Sequence, residues 1–188
     1  MTLYAAALFL HIVGALLLVA ALTVEGIALR QVGRAITLGQ VRDSAGIAGL
    51  TRVVGPAAAL GILLPGLYMT ATNWGWIPWI LVGFAAWLLV AGLGAVNGVR
   101  LAALGRATGA DAERPSPELA AQLKAPLLVA SWRVRAAILV GIVLLMTIKP
   151  DLVGSLLTIG VAALLGLAAA LPAWGSPPAR ERPQRRGA

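Results

Sequence analysis

An all-α, polytopic bundle of five membrane-spanning helices is the fold class this sequence predicts, on three observations. The chain is 60% hydrophobic and 12% charged, with a mean hydropathy of +0.90, whereas about a quarter of residues are charged in soluble domains. Its apolar residues gather in five runs, over 3–29, 50–71, 77–100, 127–148 and 152–173, each near the roughly 20 residues a bilayer requires. None of the runs alternates with the two-residue period of a barrel strand, so each must satisfy its backbone as a helix.

The first run, "LYAAALFLHIVGALLLVAALTVEGIALR", is broken only by His11 and Glu25 before its terminal arginine. It lacks a positive n-region and exceeds the length of a signal-peptide core, so it is expected to stay in the mature protein. The second run carries Pro56 and Pro65, which predicts a kink or a backbone relaxed against neighbouring helices. The third holds Gly94 and Gly98, a small-xxx-small pair suited to close packing within the bundle or to dimerisation. The order Ser116, Pro117, Glu118 marks a helix start, so 118–124 reads as a short interfacial helix leading into the fourth run. Pro150 ends that run and Asp151 is placed to cap the fifth, which makes a tight hairpin. Residues 1–175 thus form the transmembrane domain. The Pro- and Arg-rich tail over 176–188 is expected to be disordered and drawn to anionic lipid.

The connections alternate in charge. Arg30, Arg34, Arg42 and Arg52 follow the first run, and Arg100, Arg106, Arg114 and Lys124 follow the third. The connection "TNWGWIPW" has no charge, and the turn between the fourth and fifth runs has Lys149 as its cation. Because positive residues stay on the cytoplasmic side, this pattern puts the N-terminus outside and the C-terminus inside a bacterial cytoplasmic membrane. Trp74, Trp76 and Trp79, with Tyr4 and Tyr68, mark an outer aromatic belt; Trp132 and Trp174 mark the inner one. The net charge of +8 therefore reads as orientation and not as a nucleic-acid footprint.

The absence of cysteine excludes disulfides, thiolate metal sites and thiol redox chemistry. The sequence holds no Gly-rich phosphate loop, no zinc-type His pair and no paired carboxylates. A catalytic role without a bound cofactor is not expected.

Ionisable groups at membrane depth are costly, by roughly 2.5 to 3.5 kcal/mol on insertion scales, and each asks for a function. Glu25, Arg52, Arg133 and Arg135 fall at one depth near the inner boundary. They suggest an ion-pair cluster in which Glu25 accepts from one or more of the arginines; snorkelling of the arginines and a transport or proton-relay role are the alternatives. His11 lies about two turns from the outer end, beside Gly14 and Ala15, which permit another backbone to approach. Met69 and Met146 come to a similar depth on the second and fourth runs. One imidazole with thioethers suits copper(I) or haem b iron; a hydrogen-bonded packing histidine with two core methionines is the other reading.

The segments "LHIVGALLLVAALTVEGIALR", "ILLPGLYMTATNWGWIPWI" and "SWRVRAAILVGIVLLMTIKPDLVGS" resemble small multi-pass bacterial membrane proteins of unknown function, over most of the chain apart from the central loop and the tail. More distantly, the early Leu10–His11 is similar to the copper-resistance D proteins and the HemJ-type protoporphyrinogen oxidases, where helix histidines are associated with copper handling or haem. The nearer resemblance implies no known activity. Taken together, the residues favour a non-enzymatic accessory or structural subunit whose partners are lipid, other membrane proteins or further copies of itself, and not nucleic acid. A haem- or copper-associated redox protein using His11 is the alternative, and a small transporter is the third.

Overall fold

Five helices long and apolar enough to cross a membrane are present in the computed structural model, which describes residues 2–107 and 126–171. They are α1 (Leu3–Arg34), α2 (Leu38–Met69), α3 (Pro78–Ala107), α4 (Pro126–Ile148) and α5 (Leu152–Ala170). The expected interfacial helix at 118–124, Trp174 and the tail over 176–188 lie outside the described residues.

Local chemistry accounts for the ends. Thr2 caps α1 by accepting from the Ala5 N–H, and the Asp151 carboxylate caps α5 by accepting from the Gly154 N–H at 2.8 Å. Between α4 and α5, Lys149 takes a left-handed φ of 53°, its N–H closing on the Leu145 carbonyl at 2.8 Å, and Pro150 then prevents the helix from continuing. Beyond Met69, α2 widens into one π-helical turn, Thr70–Trp74. Gly75, at φ 71°, ends it by donating to the Thr70 carbonyl, a left-handed position that glycine occupies without a Cβ clash.

The long basic connection expected after the first run is mostly helical. Its turn is reduced to Ala35–Thr37, because Thr37 and Gln40 form a reciprocal capping box that starts α2. At 32 residues each, α1 and α2 are roughly 48 Å long at about 1.5 Å per residue. A hydrocarbon core is only about 30 Å thick. The surplus lies at the arginine-rich end, where the two helices continue past the apolar zone as a paired stalk. In α2 the helix runs through both Pro56 and Pro65.

Packing follows the small residues. A Cβ on Gly14 would sit 2.7 Å from the Gly61 carbonyl carbon, so α1 and α2 meet backbone to backbone at that level. Gly166 of α5 likewise faces the Val134 Cα of α4 at 2.7 Å. Three apolar clusters fill the bundle, the second and third side by side at one level. One gathers Leu29, Val32, Val41, Leu101 and Leu128 at the stalk end. A second holds Leu18, Leu22, Ala58, Ile62 and Leu139. A third joins Ala86, Val90, Ile138 and Ile142, with Ile159 and Ala163 of α5 against it. The outer faces are apolar as well; on α5, Leu156, Leu157, Val161, Leu164 and Leu165 are exposed. Exposed apolar rows over the full length of a helix fit a hydrocarbon surround rather than water.

At the opposite end from the stalk, aromatic residues tie the helices together. The Trp74 indole packs edge-on to Trp79 at 5.8 Å and donates to the Tyr4 hydroxyl. The Lys149 ammonium rests over the Trp74 ring at 4.1 Å, which gives this cation an aromatic partner.

Candidate functional site

The chief polar centre is built from three helices. Glu25 of α1 and Arg135 of α4 form a salt bridge, with Nη1 at 2.7 Å from both carboxylate oxygens. Their side chains are 8% and 7% exposed. The Asn97 side-chain amide of α3 donates to Glu25 Oε1 at 3.1 Å. A carboxylate in a low-dielectric interior needs this double support, because an unpaired buried charge is far costlier than a paired one. The centre thereby joins α1, α3 and α4 at one level.

Neighbouring residues shape the room for it. A Cβ on Gly94 would lie 2.6 Å from Arg135 Nη2 and 3.0 Å from its central carbon, so the glycine read as a packing position gives its space to a guanidinium. Its companion Gly98 has nothing within 4 Å of a Cβ. Beside the pair, the Trp132 indole donates to the Leu22 carbonyl at 2.7 Å. The same ring fills the space beside Gly26 and lies 6.0 Å from the Arg30 guanidinium.

Of the residues expected to cluster, Glu25 and Arg135 meet directly. Arg133, two positions earlier on α4, is turned about 200° round the helix and donates to the Ala169 carbonyl of α5. Arg52 is exposed on α2 at the edge of a cavity that Glu25 and Arg135 also line. Asn97 was legible as a polar residue inside an apolar run, but nothing local to it indicates its partner. The cavity encloses about 420 Å³ between α1, α2 and α3.

His11 occupies a separate place in the other half of the bundle. Its Nδ1 lies 2.8 Å from the Ile62 carbonyl oxygen, and a Cβ on Gly66 would press on the ring at 3.3 Å. Pro65 has no N–H to give the Gly61 carbonyl, and the imidazole bonds the next carbonyl along, that of Ile62. Met69 is buried and follows Ile62 and Gly66 at helical spacing, on the face of α2 that meets His11. Met146, on α4, is 40% exposed. The described residues contain no group of three His, Asp or Glu side chains able to hold a metal.

Compared with protein-family models, with curated proteins and with solved structures, the chain gives no match.

Proposed function

We propose that this chain is a non-enzymatic, multi-pass subunit of a bacterial cytoplasmic membrane that works by packing against lipid or other membrane proteins. The observation that carries this reading is the internal answering of its buried charge: the Glu25 carboxylate is held by Arg135 and Asn97 of the same chain. Around that centre, the helices present apolar faces outward. A buried ion pair linking three helices fixes their relative rotation, a role attested for buried polar groups that set register.

The orientation we propose is N-terminus outside and C-terminus inside. Its support is the concentration of arginine at the stalk end, against a lone Lys149 at the aromatic end. A reporter active only outside the cytoplasm should be silent when fused after Ala188 and active when inserted near Gly75. The reverse pattern would overturn the orientation.

One observation favours a second reading, in which His11 contacts haem or copper. An imidazole whose Nδ1 is anchored to a backbone carbonyl has its tautomer set and its Nε2 left to serve as a ligand. Met69, on the adjoining face, is the thioether placed to accompany it. Protein purified gently from its native membrane separates the readings. The packing subunit is colourless and free of stoichiometric copper, and His11→Ala costs it about 1 kcal/mol, the worth of one hydrogen bond. A Soret band or bound copper that disappears in His11→Ala would replace the first reading with the second.

A further inference from the structure

The cavity between α1, α2 and α3 has walls of small residues on α2 and α3 that do not close. Gly49 and Gly55 on α2 and Gly98 on α3 line it, and a Cβ on any of them would meet nothing within 4 Å. Elsewhere in the chain glycines bring backbones into contact, as Gly14 does against Gly61. Here two small-residue walls face a gap at membrane depth. It opens sideways where the lining residues Arg52, Pro56, Ala95 and Val99 are exposed.

Charge gathers midway along the cavity, at Arg52, Glu25 and Arg135; toward the stalk it is lined by Ala45, Gly49, Leu101 and Ala102, and toward the bundle middle it ends on Leu18, Ala59 and Trp87. Two cations and one carboxylate leave the charged level with an excess positive charge. Arg135 is 7% exposed and uses Nη1 on Glu25, while its Nε–H is buried with no acceptor among the described residues. A guanidinium so placed retains donor capacity. The volume, about 420 Å³, falls in the range of about 300 to 1,000 Å³ usual for ligand pockets.

We propose that this cleft is a binding site for one anionic phospholipid, with its phosphate at Arg52 and an acyl chain along Gly55, Ala59, Ala91 and Ala95 toward Trp87. Arg52 lies at the stalk-side end of the second apolar run, over 50–71, so a phosphate there belongs to a lipid of the leaflet on the stalk side, with its chain toward the midplane. Lateral entry between α2 and α3 needs no passage through water. The proposal rests on the membrane-packing reading above and names one lipid contact within it.

Native mass spectrometry of the full chain, mixed in detergent with phosphatidylglycerol or phosphatidylcholine, tests it. Wild type should retain one phosphatidylglycerol and prefer it about fivefold, the discrimination expected of one arginine near a lipid phosphate. Arg52→Gln should bring the two lipids to near-equal retention. Gly98→Leu, which puts a side chain into the open cleft, should lose both lipids with an unchanged melting temperature. Ala95→Leu serves as a second filling variant if Gly98→Leu does not fold. A wild type that retains no lipid, a preference unchanged in Arg52→Gln, or full retention in a folded filling variant would overturn the site. A Soret band in the same preparation would overturn the packing reading and leave the lipid count to stand by itself.

Discussion

Glu25→Ala should lower the stability of the detergent-solubilised protein by about 3 to 5 kcal/mol, the usual loss when one partner of a buried ion pair is removed. The reason lies with Arg135, whose guanidinium would remain in the interior without its carboxylate. Gly94 keeps no side chain there that could answer it. Replacing both partners by apolar residues, Glu25→Leu with Arg135→Met, should recover most of the loss, since the uncompensated charge is then absent. A double-mutant cycle measured by chemical or thermal denaturation should give strong coupling between Glu25 and Arg135 and little between Glu25 and Arg133. Equal additivity for all the arginines would mean that the pair does not form.

The second large effect is expected at Gly14. Its substituent would point at the backbone of α2, with Gly61 C at 2.7 Å and Ile62 N at 2.9 Å, and backbone cannot swing aside as a side-chain tip can. Gly14→Val should therefore force α1 and α2 apart at their closest level, lengthen the His11 bond to Ile62, and cost about 3 kcal/mol, the upper end for overpacking. Gly92→Ala is the matched control: nothing lies within 4 Å of a Cβ there, and the change should be neutral or stabilising by up to about 1 kcal/mol. Similar losses at both positions would show that helix contact is not what Gly14 provides.

The membrane spans were readable because hydrocarbon imposes one strong condition, a long apolar run with its backbone satisfied internally. The Asp151 cap was readable because its partner, the Gly154 N–H, is three residues away. Partnership across the bundle was harder, for a geometric reason. Sequence position along an apolar run supplies depth, and depth placed Glu25 level with several arginines. Choosing among them requires the rotation of each helix about its own axis. Arg133 and Arg135 differ by two positions, which is enough to send one to α5 and the other to α1. Gly94 was readable as a close-packing position but not by what it packs against: a glycine facing a neighbouring helix reads alike whether backbone or guanidinium fills the space. The stalk was hidden differently. Its arginines suggested a loop, although Thr37 and Gln40 already had the spacing of a capping box.

The sequence distance across the central pair bears on how the chain is made. Glu25 and Arg135 lie 110 residues apart, so at about 5 to 20 residues per second the carboxylate precedes its partner out of the ribosome by roughly 5 to 20 s. Throughout that interval α1 holds an acid in or beside the bilayer with no arginine from α4 to meet it. Until the fourth helix arrives, the first carries the cost of a buried carboxylate without its cation. The order of synthesis thus fixes the order of pairing, and a chain interrupted before Arg135 keeps Glu25 without its partner.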